Sequence, residues 1–180
     1  LAVIYALFRW NHRPETRDLP AERLHSAIWA GLRYVALSPN LMRVMARASV
    51  FGLSAVVLLA LLPVVTRDTL QGGATTYGLL LGAFGLGAIG GALASPQLRR
   101  RAGIEAIVAW SFLGFGLGTV LVAVSTTLWL VLPGLLMAGA AWVSALSLFN
   151  VSTQLATPRW VVGRALAVYQ TATFGGMALG

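Results

Sequence analysis

Between Asp68 and Arg99, and again between Glu105 and Arg159, the chain carries no charged residue. As one helix, the second stretch, positions 106 to 158, would be about 80 Å long, against about 30 Å for the hydrocarbon core of a bilayer. It must therefore fold into two crossings, and Ser125, Thr126 and Thr127 mark the hairpin between them. The same reasoning predicts spans over about 44–65, 76–95, 104–124 and 128–149, with Gln71, Gly72 and Gly73 as the turn between the first two. A fifth apolar run, about 164–180, holds about 16 residues where a crossing needs about 20. Composition points the same way: 58% of residues are hydrophobic and 10% charged, whereas soluble domains are about 25% charged. The fold class expected is all-α integral membrane.

The arginines orient it. Arg9, Arg13, Arg17, Arg23, Arg33, Arg43 and Arg47 fall in the gap from Phe8 to Ala48, and the next gap, Thr66 to Thr76, holds only Arg67 beside Asp68. Then come Arg99, Arg100 and Arg101, none around Ser125 to Thr127, and finally Arg159 and Arg164. Cationic loops stay on the cytoplasmic side, so every other gap is inside. The net charge of +8 is split among loops flanking apolar spans. The expected counter-charge is anionic lipid headgroups and not nucleic acid.

Residues 1–8 read as the end of a helix arriving at the cytoplasm and 9–43 as a cytoplasmic loop. Within that loop Leu24, Ala27, Ile28, Gly31, Leu32 and Val35 recur at helical spacing. They predict an amphipathic helix over about 20–37, lying in the membrane interface. Ser38 is a candidate cap for the next helix. Both ends of the chain look cut, and no signal peptide is visible. With no cysteine there is no disulfide, thiol nucleophile or thiolate metal site to consider.

Gly85-Leu86-Gly87-Ala88-Ile89-Gly90 matches the glycine pattern of a dinucleotide-binding turn. That pattern has force only where a strand, a tight turn and an amphipathic helix come in order, with an acid about 20 residues on. The region carries no charge before Arg99, so the would-be helix has no solvated face. Gly78 and Gly82, and Gly87 and Gly91, each four apart, fit close helix packing in lipid instead. Gly114 and Gly118 repeat the spacing. His12 and His25 lack partners at metal-ligand spacing, so no metal or cofactor is expected. All five acids, Glu15, Asp18, Glu22, Asp68 and Glu105, lie in loops or at membrane edges, leaving no intramembrane carboxylate for a proton relay.

Ser144, Ser147, Asn150 and Gln154 recur at helical spacing in the fourth span, with Ser49 and Ser54 as weaker candidates in the first. Such a stripe either lines a water-filled substrate path or hydrogen-bonds to a neighbouring helix. A serine can also bond its own helix carbonyl. Pro63 and Pro133 lie near the outer ends of their spans, where freed backbone marks either a gate or a passive kink.

Several segments, in order, resemble the major facilitator superfamily, and within it bacterial exporters similar to the enterobactin exporter, the transmembrane secretion effectors. They are Pro20 to Leu24 with Ala30 to Tyr34 and Ser38-Pro39; Ala60 to Pro63 with Arg67-Asp68; Tyr77 to Ala88; Gln154 with Pro158-Arg159-Trp160; and Gly163 to Ala165 with Gly175-Gly176. The resemblance implies a twelve-helix transporter, of which this chain would supply the end of helix 6, helices 7 to 10 and most of helix 11. The other half would lie outside it. Residues 9–43 become the loop between the halves, and helices 7 and 10 line the cavity through an inverted repeat. The family's cytoplasmic glycine, acid and arginine motif is degenerate here: Gly91 and Arg99 to Arg101 are kept, but Ser95 stands where an acid is expected.

The leading expectation is a non-enzymatic, multi-pass secondary transporter of the bacterial inner membrane. It would act as an antiporter exporting a small amphipathic molecule, a siderophore or drug, on an ion gradient, with protons the suspected ion. A nucleotide-dependent membrane enzyme using Gly85 to Gly90 and a non-transporting scaffold are the alternatives.

Overall fold

The structure, a computed structural model, describes residues 24 to 179. The expected helix end at 1–8 and residues 9–23 of the expected loop 9–43 lie outside the described residues. The described residues form a serpentine of six helices: α1 (Leu24–Ala36), α2 (Pro39–Val64), α3 (Ala74–Arg101), α4 (Ile104–Val124), α5 (Leu128–Leu155) and α6 (Val162–Leu179). A π-helical turn, Val65–Thr69, extends α2. No strand occurs among the described residues. The helices α2 with its π turn, α3, α4 and α5 are each long and apolar enough to cross a membrane. α6 falls outside that set, its hydropathy lowered by Arg164, Gln170, Thr171 and Thr173.

Each helix buries one stripe. In α2 the buried residues include Leu41, Met45, Ala48, Phe51, Ala55, Leu58 and Leu62, the three- and four-residue spacing of one helical face. α5 is buried more broadly, from Val131 to Thr153, because α3 and α4 both pack along it while α2 and α6 touch its remaining side. Opposite faces stay apolar and exposed, as Trp110, Leu113, Leu117, Val120 and Val124 do on α4. That is a lipid-facing stripe. An aromatic knot closes the middle: Phe51 of α2 meets Phe112, Phe115, Trp142 and Phe149 at ring-centroid distances of 5.0, 5.3, 6.2 and 6.2 Å. Such edge-to-face and tilted contacts add to plain packing.

The helices overrun the expected spans. α3 continues through Pro96 and takes Arg99, Arg100 and Arg101 into its last turn, where they complement the negative end of the helix dipole. α5 runs on to Leu155 and so includes Asn150 and Gln154. At the start of α2, Pro39 occupies the first turn and Ser38 the cap position, but the Ser38 side chain makes no capping bond. Its carbonyl accepts from the Met42 amide at 3.0 Å instead. In the turn after the π segment, Gln71 and neither glycine takes the left-handed conformation, with φ of 49°.

Two of the helix seams, α3 against α5 and α2 against α6, are copies of each other. On α5, a Cβ at Gly139 would run into the Phe84 carbonyl and the Ala88 amide of α3; on α2, one at Gly52 would meet the Thr173 carbonyl and the Met177 amide of α6. In return Gly87 abuts the Leu136 carbonyl and Gly176 that of Ser49. A shift of 87 in numbering carries Ser49 and Gly52 onto Leu136 and Gly139. A shift of 89 carries Phe84, Gly87 and Ala88 onto Thr173, Gly176 and Met177. Since α2 and α5 run in opposite directions along the serpentine, the relation is an inverted repeat at single-residue register.

Candidate functional site

Hydroxyls decide first where polar chemistry is possible. In lipid a buried hydroxyl must find a partner, and the nearest is the carbonyl one turn back in its own helix. Ser54 donates to Val50, Thr66 to Leu62, Ser111 to Ile107, Thr153 to Phe149, Thr157 to Thr153 and Thr173 to Tyr169. The buried ones among these groups leave no free donor aimed at a ligand, while Ser54 is exposed and can still accept.

The polar stripe on α5 therefore divides. Ser144 is buried in a cleft of about 280 Å³ between α3, α4 and α5, beside Gly91, Ser111 and Ala140. That is a packing position. Ser147 and Asn150 are half-buried and Gln154 is exposed, and the Gln154 amide donates to the Asn150 side-chain oxygen. On α2, Ser49 is half-buried and donates 3.0 Å to the Ala172 carbonyl, stitching α2 to α6 beside the Gly176 contact. Ser54 is exposed. Of the six candidates, Ser147, Asn150, Gln154 and Ser54 keep an open side, while Ser49 and Ser144 sit in helix seams.

Pro63 and Pro133 lie inside α2 and α5, each on an exposed face. Pro63 lies two residues before the π turn, where the helical register widens; π turns inside helices mark local strain or a moving part. Arg67 and Asp68 sit on that turn, 4.0 Å apart and exposed. Arg99 is half-buried and Arg100 and Arg101 exposed, and none of the three forms an ion pair among the described residues.

One charged contact is illegible in the sequence. Arg47 of α2 donates to Glu105 of α4 at 2.6 Å, closing the arginine-rich end across 58 residues of chain. Val108, Ala109 and Phe112 wall the hollow beside the pair. Glu105 also sits in the first turn of α4, where a negative charge suits the helix dipole. The only available signal was that Glu105 is the sole acid beyond Asp68.

The glycine pattern Gly85 to Gly90 lies within uninterrupted α3, with Gly87 packed on α5 and Gly85 and Gly90 open. There is no turn there to cradle a pyrophosphate. Among the described residues no cluster of metal-ligating side chains occurs.

Across residues 1–180 the chain matches the family model described as transmembrane secretion effector. No curated protein and no solved structure matches it.

Proposed function

The chain belongs to the transmembrane secretion effector family of major facilitator transporters, and from that premise we propose that it exports a small amphipathic molecule, of siderophore or drug type, out of a bacterial cell. It sits in the inner membrane with the arginine-rich end in the cytoplasm. The bundle works by alternating access against a second half of the same transporter, and an ion gradient, of protons by preference, drives it. The family match over the full chain carries this reading. The inverted repeat supports it, because a nested repeat of this kind builds each half of such transporters.

In this reading Ser147, Asn150 and Gln154 on α5 and Ser54 on α2 face the substrate path. Their open sides favour that role, and the packed positions of Ser49 and Ser144 count against it for those two. Arg47 and Glu105 hold the cytoplasmic ends of α2 and α4 together, standing in for the pair that Ser95 cannot form.

Flux in inverted vesicles containing the full-length transporter tests the proposal. Gradient-dependent uptake of a catecholate siderophore or a cationic dye, collapsed by a protonophore, is expected. Folded protein with no gradient-driven flux of any such compound would sink export and leave a membrane scaffold.

A further inference from the structure

A groove of about 730 Å³ runs between α1 and α6, walled by Ile28 and Leu32 on one side and Ala167, Val168 and Ala172 on the other. Its charged group is Arg164, in the first turn of α6. From Gly163 to Ala172 the α6 wall rises about 14 Å, close to half the ~30 Å hydrocarbon core. The slot thus has the depth of one leaflet, with a cation at its arginine-rich end. α1 touches α6 there because Gly31 has no side chain: a Cβ would lie 2.9 Å from that of Arg164. Tyr34 meets Trp160 edge-on at 5.9 Å, and their sequence neighbours Arg33 and Arg159 are both exposed. Trp29 and Trp160 are also largely exposed, as residues of an interfacial aromatic belt are.

We propose that this groove holds one acyl chain of an anionic phospholipid from the leaflet on the arginine-rich side, with its phosphate at Arg164. The apolar walls suit a hydrocarbon chain, and a basic pocket between helices at that depth suits an anionic headgroup. An extended peptide would leave its amides unpaired against such walls. A helix, about 10 Å across, needs a wider trough than two touching helices leave. Arg164 then anchors the loop helix to the bundle through a lipid, whatever the transported substrate is.

The test uses the full-length transporter in nanodiscs containing equal dioleoyl-phosphatidylglycerol and dioleoyl-phosphatidylcholine, released into native mass spectrometry. One phosphatidylglycerol should be retained in preference to phosphatidylcholine. Arg164→Gln should lower its occupancy about fivefold, the worth of one basic residue at a membrane surface, and Ala167→Trp should remove it. Equal retention of both lipids, or unchanged retention in Ala167→Trp, overturns the proposal. A second readout does not depend on those variants: residues 1–180 hold no cysteine, and with any cysteine outside them replaced, Thr171→Cys reports the groove alone. In delipidated protein it should react with an apolar maleimide, and phosphatidylglycerol but not phosphatidylcholine should protect it. Protection without lipid would overturn the proposal by showing that protein, whether residues 1–23, the transporter's other half or a second copy, covers the groove.

Discussion

The Leu136 carbonyl of α5 occupies the space that a Cβ on Gly87 of α3 would need. Without a hydrophobic force between helices in lipid, such backbone proximity is what holds a seam together. Gly87→Val must push α3 off α5 and should cost about 3 kcal/mol, the upper range for overpacking. Gly85→Val, with open space around its Cβ, should change stability by less than about 0.5 kcal/mol. Thermal unfolding in detergent, monitored by size-exclusion chromatography, separates the two. Equal sensitivity of both positions would mean that the glycines serve something other than this seam.

That contrast also measures how far the sequence could be read. Gly78 and Gly82 have the same spacing as Gly87 and Gly91, yet the first pair faces open space and the second packs against Leu136 and Ala140. Spacing encodes a face, and the neighbour it meets depends on how the helix is rotated in the bundle. The spans were legible because the cost of placing arginine in hydrocarbon acts along the chain, residue by residue. Helix ends were not: nothing forces a helix to stop at the membrane edge, so α3 keeps three arginines beyond Pro96 and α5 keeps Asn150 and Gln154. The polar stripe divides between two surroundings for the same rotational reason. Ser144 turns into the cleft with Ser111, and Asn150 turns away to meet Gln154. The family resemblance implied an inverted repeat, but its residue register was not legible, because the two copies share geometry more than residue type, Ser49 matching Leu136 and Thr173 matching Phe84.

Arg47 and Glu105 are partly exposed, with side chains 43% and 78% accessible, so their bond contributes little to folding, under about 1 kcal/mol. Its consequence should lie in transport. Arg47→Glu and Glu105→Arg, each placing like charges 58 residues apart in sequence but in contact in space, should each slow export several-fold. The double exchange should recover most of the rate. Initial export rates at equal expression check this, and a double variant as slow as the singles would remove the pair's role.

Gln71 holds a left-handed backbone at φ 49° while Gly72 and Gly73 beside it do not. For a residue with a Cβ that conformation costs about 1 kcal/mol, offset in part by the bond its side-chain amide donates to the Asp68 carbonyl at 3.0 Å. Gln71→Gly removes both terms. It should leave stability within about 0.5 kcal/mol of the parent, whereas Gln71→Val, which keeps the strain and loses the bond, should destabilise by about 1 kcal/mol. Chemical unfolding of the two variants in matched micelles distinguishes them; a Gln71→Val protein as stable as the parent would contradict the strained turn.

Orientation is open to a direct test, and the structure chooses the positions. A side chain at Gly72 would press on Thr76 at 2.7 Å, whereas Gly73 has nothing within 4 Å, so Gly73→Cys is the cleaner reporter of the α2–α3 turn. Thr126→Cys reports the α4–α5 turn and Gln97→Cys the last turns of α3, both at exposed positions. Because arginine-rich loops stay inside, a membrane-impermeant maleimide added to intact cells should label Gly73→Cys and Thr126→Cys and spare Gln97→Cys. Permeabilisation should expose all three. Labelling of Gln97→Cys in intact cells would invert the topology and, with it, the direction of transport.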